Sequence, residues 1–131
     1  MFEEVPAELD RIGKMIVDAA FVVHSTLGPG LLEGVYVICL AHELEKRGLQ
    51  VEREVPVQIV YDGIKFASAF KLDLLVEGCV VVEGKAVEKY ESVHAAQLLT
   101  YLKLTNNRLG YLINFNVPMI KDGLKRLARS R

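Results

Sequence analysis

Two runs with a two-residue period, Phe70 to Val76 and Val80 to Ala86, constrain this chain more than any other stretch. In the first, Phe70, Leu72, Leu74 and Val76 alternate with Lys71, Asp73, Leu75 and Glu77. In the second, Val80, Val82, Gly84 and Ala86 alternate with Val81, Glu83 and Lys85. Successive side chains of a strand point to opposite faces, so each run has one apolar face. Burying the two faces together sets Val76 opposite Val80 across the loop Glu77-Gly78-Cys79. Leu74 then faces Val82, Asp73 faces Glu83 and Lys71 faces Lys85. A shorter loop, Glu77-Gly78, would put Asp73 and Glu83 on opposite faces, because a slip of one residue flips every side chain. The register that buries the apolar face is therefore the one that brings the two carboxylates together.

Carboxylates directly opposite each other repel and raise one another's pKa, which is unfavourable unless a cation sits between them. A divalent metal ion would supply one. Lys85 points the same way as Glu83 and could neutralise the pair or hold a phosphate or a water. Gly84, in a strand interior with no side chain to pack, marks a close backbone approach. The same residues also fit a plain hairpin whose solvated face carries Lys, Asp, Glu and Lys. In the helix expected next, His94, Gln97 and Tyr101 form a polar stripe beside Ala95, Leu98, Leu99 and Leu102, which face the core. Ser92 reads as its N-cap, and His94 as a residue of the first turn rather than a ligand.

The rest of the chain supplies helices and strands to flank this hairpin. From about Pro6 to Leu27, Leu9, Ile12, Met15, Ile16, Ala19, Val22 and Val23 recur at helical spacing, and Gly28-Pro29-Gly30 ends the helix; His24 near its end is structural. A second helix from about Leu31 to Arg47 buries Leu32, Tyr36, Leu40, Ala41 and Leu44. Glu33 lies in its first turn, where the dipole favours a carboxylate, but shares a face with Tyr36 and Leu40 and so points towards the core side. Val51 to Tyr61 and Ile64 to Phe66, joined by Asp62-Gly63, form a hairpin leading into the strand at Phe70. Arg108 to Phe115 is an apolar strand that follows a helix, which suits pairing parallel to a central strand. A short basic amphipathic helix, Ile120 to Ala128, closes the chain.

The 131 residues read as one domain, 1–131, large enough for a core without staples. With 51% hydrophobic and 25% charged residues the chain reads as soluble and globular. Cys39 and Cys79 form no CxxC and read as reduced packing residues of a cytoplasmic protein. No basic-then-apolar leader opens the sequence, and no apolar run nears the roughly 18 residues of a membrane span. A net charge of −1 gives no overall attraction to nucleic acid. Charge is nonetheless uneven: Glu3, Glu4, Glu8 and Asp10 lie near one end, and Lys121, Lys125, Arg126, Arg129 and Arg131 near the other, where a local basic patch could form.

The order of helices, strands, Asp73, Glu83-Gly84-Lys85, then a helix with Gln97-x-x-x-Tyr101 and a strand resembles the core of the PD-(D/E)XK nuclease superfamily. Gly30-Leu31-Leu32-Glu33-Gly34-Val35-Tyr36 is similar to the name motif of the GxxExxY protein family within it, and the likeness runs from about Ile12 to Leu127. It implies an α/β fold with a restriction-endonuclease-like core, a mixed central sheet containing an antiparallel meander and flanked by helices. It implies that Asp73 and Glu83 bind Mg²⁺ or Mn²⁺, with the Gly84 carbonyl as an extra ligand and Glu33 completing the cluster directly or through water. Lys85 would position the attacking water, Gln97 would orient Lys85 or the substrate, and Tyr101 with Lys71 would contact the substrate. At Gly84 the superfamily usually carries a large apolar residue packing on the core, so glycine would leave that place empty. The reading is a Mg²⁺-dependent nuclease acting on nucleic acid, DNA before RNA, with a homodimer as one arrangement. The alternatives are an inactive nuclease fold that binds protein or nucleic acid, and a metal-dependent hydrolase of a nucleotide-like small molecule.

Overall fold

The computed structural model describes residues 5–130; Glu3, Glu4 and Arg131 lie outside them. Two helices come first, α1 (Ala7–Leu27) and α2 (Glu33–Lys46), followed by strands β1 (Val51–Tyr61), β2 (Ile64–Val76) and β3 (Val80–Lys85). Helix α3 (Ser92–Thr105) leads to β4 (Leu109–Asn114), a 3₁₀ turn (Ile120–Gly123) and β5 (Leu124–Ala128). The strands form one sheet in the order β1-β2-β3-β4-β5. Every neighbouring pair is antiparallel except β3 and β4, which run parallel because α3 carries the chain back between them. This is the α/β arrangement expected, a mixed sheet flanked by helices.

The sheet has two unequal layers. On one face α1 and α2 pack Ile12, Ile16, Ala19, Tyr36, Leu40 and Leu44 against Leu74, Val76, Val80, Val82, Tyr111 and Ile113. On the other, α3 packs Leu98 and Leu102 against Val57, Leu72, Val81 and Leu112. A strand buried on both faces reads as a continuous apolar run, and β3 and β4 do so. Helix α1 lies so close to β4 that a Cβ on Gly13 would overlap the Tyr111 ring and hydroxyl. His24 is structural, as expected: it is buried, and its Nε2–H donates to the Val117 carbonyl at 2.8 Å.

Several expectations are corrected. The C-terminal segment is not a helix but the edge strand β5. Leu124 packs with the α1/α2 layer and Leu127 with the α3 layer, because residues three apart in a strand face opposite sides. Its cations also serve it locally: Arg126 pairs with Asp10 of α1 at 2.7 Å, and Arg129 donates to the Asn107 carbonyl at 3.0 Å. The hairpin after β1 and the strand at Phe70 are one long strand, β2, with an irregularity where only Gln58 stands between the pairs Val57–Phe70 and Ile59–Phe66. The N-cap of α3 is Glu91 rather than Ser92; its N–H donates to Nδ1 of His94, which confirms His94 as a first-turn residue. Leu32 and Leu99, expected in the core, are exposed, at 79% and 42%.

Candidate active site

The β2–β3 register comes out as the apolar faces demand, with Val76 opposite Val80 and Leu74 opposite Val82 across the turn at Glu77, Gly78 and Cys79. The ladder stops there. The Lys71–Lys85 pairing does not form, and Lys71 is exposed. Asp73 and Glu83 come together by replacing ladder bonds with their own side chains. The Asp73 amide donates to Glu83 Oε2 at 2.7 Å, and the Gly84 amide donates to Asp73 Oδ2 at 2.9 Å. Each carboxylate thus keeps one oxygen that takes no hydrogen bond among the described residues.

The apolar faces differ from the regular alternation expected. Leu74 and Val76 belong to the α1/α2 layer, but Leu72 and Phe70 belong to the α3 layer, so β2 turns over at Asp73. Asp73 therefore stands between the layers. From β3 it meets Glu83, which is 5% exposed. From the α2 side it shares a shallow pocket with Glu33, Val37, Arg53 and Glu54.

Gly84 does not leave an empty place. A Cβ there would stand 2.7 Å from Val37 Cγ2, so the side chain of α2 fills the space that a larger residue would take. The glycine marks the close approach inferred from it, and that approach sets the start of α2 over the carboxylates. Tyr36 fixes the same end of α2 from inside. It is fully buried and stacked on Phe115 at 4.7 Å, and its hydroxyl donates to the Gly28 carbonyl at 2.6 Å while accepting the Leu31 amide at 3.0 Å. The sequence Gly30-x-x-Glu33-x-x-Tyr36 is thus a loop anchored by its tyrosine, which presents Glu33 as the first residue of the helix.

The groups feel one another. Burial, and then the Asp73 charge, push Glu83 up to about 8, against the opposing pull of the Asp73 amide and Lys85. Asp73 is also raised, mainly by burial; the Gly84 amide and Lys85 hold it down and Glu54 pushes it further up. Glu33 is exposed as a residue, yet packing around its carboxyl and the Asp73 charge raise it, with Lys85 opposing. Tyr101, stacked on Phe70 at 4.1 Å, is raised by burial and then by Glu83 and Asp73. The Lys85 charge acts on all three carboxylates, Glu33, Asp73 and Glu83. Gln97 is exposed on α3 and makes no hydrogen bond among the described residues.

Two neighbouring carboxylates, each with an oxygen that takes no hydrogen bond among the described residues, match a hard divalent ion in chemical type. Glu33 does not turn them into a finished cage: among the described residues, no three Asp, Glu, His or Cys side chains form a group that could hold a metal ion. Residues that the sequence reading passed over also shape the site. Buried Asn114 accepts the Val87 amide at 3.1 Å and donates to its carbonyl at 2.9 Å, pinning the segment after Lys85. Its signal was a polar residue ending an otherwise apolar strand. Arg53 and Glu54 offered none, since charged residues on an edge strand are ordinary.

No curated protein and no solved structure matches this chain. A family model does, over residues 10–127, nearly the whole of the fold described and all of the site; the chain belongs to the PD-(D/E)XK nuclease superfamily.

Proposed function

We propose that the protein is a nuclease of the GxxExxY kind, a single domain over residues 1–131 that hydrolyses phosphodiester bonds in nucleic acid, DNA before RNA, with Mg²⁺ or Mn²⁺. PD-(D/E)XK nucleases generally use divalent metal ions. The observation that carries the reading is the Asp73–Glu83 pair: two carboxylates with raised pKa values are held together by each other's strand amides and leave an oxygen apiece uncommitted. Those oxygens, with the Gly84 carbonyl, would hold the ion, and Glu33 would reach it through water. A bound ion would lower the pKa of water and balance charge on the phosphorus.

The chain's own residues do the remainder. Lys85 holds the attacking water or a phosphate oxygen beside Glu83. Water adds its oxygen to phosphorus, the bond to one ribose oxygen breaks, and a proton passes to that oxygen. Tyr101, held flat by Phe70, and Gln97 on the same stripe of α3 line the approach for the substrate. A second reading has its own support. Each carboxylate accepts a backbone amide, and no three-ligand group forms among the described residues, which suits an inert nuclease fold in which the pair serves the sheet.

Calorimetric titration with Mg²⁺ and Mn²⁺, paired with cleavage of single-stranded, duplex and branched DNA, separates the two readings. Asp73→Asn and Glu83→Gln keep an oxygen to accept each amide and remove the charge. The nuclease reading expects cation binding by the native protein, its loss in both variants, and cleavage lowered on the order of a hundredfold or more. A native protein that binds neither ion at millimolar concentration, and cuts nothing, is the inert fold.

A further inference from the structure

The residue that faces Asp73 from the other side, Glu54 of β1, adopts φ +52° in the interior of an eleven-residue strand. Non-glycine residues seldom take the left-handed region, and in structures such strain clusters at functional sites. No turn accounts for it. Arg53 still pairs with Leu74 and Val55 with Leu72, so no residue is inserted or lost there; between those two pairs Glu54–Asp73 drops out of the ladder.

Both strands turn over at that one pair. Val51 packs with the α1/α2 layer, whereas Val55 and Val57 pack with the α3 layer; unbroken alternation would keep all three on one side. On β2 the change falls between Leu74 and Leu72. Asp73, at the point of change, has its amide aimed at Glu83 Oε2 and its carboxylate at the Gly84 amide and the pocket of Glu33. The Glu54 side chain is exposed and makes no hydrogen bond or ion pair among the described residues, so no such bond holds the unusual backbone.

We propose that Glu54 is a positioning residue for Asp73, acting through its left-handed backbone rather than its carboxylate: the turnover of β1 at Glu54 lets β2 turn over with it and swings Asp73 out of the ladder to meet Glu83 and Gly84. The bearing on catalysis rests on the nuclease reading above; the placement of Asp73 does not. Glycine takes this conformation freely and asparagine readily, whereas a β-branched side chain opposes it.

The test is a set of variants, Glu54→Gly, Glu54→Asn, Glu54→Gln and Glu54→Val, with Glu54→Thr in place of valine should that protein not fold. Amide exchange of Gly84, measured by NMR relative to Leu112 and Ile113 of β4, reports whether its hydrogen bond to Asp73 persists whatever the overall stability. Glycine and asparagine should keep the ratio within about twofold of native, glutamine should match native, and valine or threonine should speed Gly84 exchange about tenfold relative to β4. Affinity for Mn²⁺ should fall in the same order. Unchanged Gly84 exchange in the valine or threonine variant would overturn the proposal, as would a loss in the glutamine variant that shows the charge to be what counts. If native protein binds no Mn²⁺ while Gly84 exchange follows the backbone preference, the positioning role stands and the nuclease reading falls.

Discussion

Glu83 is the residue at which the site and the stability of the fold meet. Its folded value of about 8 exceeds the ordinary 4.5, so the folded chain holds this proton more tightly than the unfolded one. The stability gained is complete below the ordinary value and is lost as pH rises through the window from 4.5 to about 8. Asp73, also raised, acts in the same direction, and the two titrate as a pair. Chemical unfolding of the metal-free protein should therefore show stability falling between about pH 5 and 8, by on the order of a few kcal/mol. Glu83→Gln should flatten that slope, and millimolar Mn²⁺ at the alkaline end should restore what the native protein loses. A slope equally steep in the glutamine variant would place its source elsewhere. The pairing of Asp73 with Glu83 was legible in the sequence because burial of Leu74, Val76, Val80 and Val82 permits one register. How the pair is held was not, since carboxylates replacing ladder bonds leave no periodicity.

Between elements, the close approach that bears on the site is that of α2 to β3. Gly84 permits it, Val37 fills it, and Tyr36 locks the α2 end of it through Gly28 and Leu31. Gly84→Ala would drive a methyl to 2.7 Å from Val37 Cγ2, and a β-branched side chain on a helix has little room to rotate away. The variant should lose about 1–3 kcal/mol in denaturant unfolding, and Gly84→Ala with Val37→Ala should regain part of that. A cost that persists undiminished in the double variant would show that the strain lies in β3 itself. The sequence showed that glycine meant closeness but not what came close, because Val37 is more than forty residues away in the chain. The same limit explains β5. Leu124 and Leu127 have the spacing of a helical stripe, and only the presence of two layers, one on each side of the sheet, makes that spacing suit a strand. The turnover at Asp73 was hidden more deeply, since it depends on Glu54 taking a conformation that its residue type disfavours.

Across the whole molecule the two layers differ in strength, and the proposed substrate side is the weaker. Helix α1 buries Ile12, Ile16, Ala19, Ala20 and Val23, whereas α3 buries only Leu98 and Leu102. What else holds the α3 side is partly buried packing, with Tyr101 stacked on Phe70 at 4.1 Å, and polar bonds of the flanking segments: Asn114 to Val87, and the Tyr90 hydroxyl to the Gly123 carbonyl at 2.5 Å. Local opening follows the amount of apolar surface that must be exposed, so α3 should open without the rest of the sheet. Native-state hydrogen exchange should give α3 amides an opening free energy lower than those of α1, β3 and β4 by on the order of 2 kcal/mol. Equal protection of α3 and β4 would mean that the thin layer is held by something other than its core. The direction has a consequence for the site. Asp73, Glu83 and Gly84 sit on the rigid sheet, while Gln97 and Tyr101 ride on the helix able to move. A bound oligonucleotide that touches both should slow exchange in α3 far more than in β3, whereas a ligand confined to the carboxylates should leave α3 as it was.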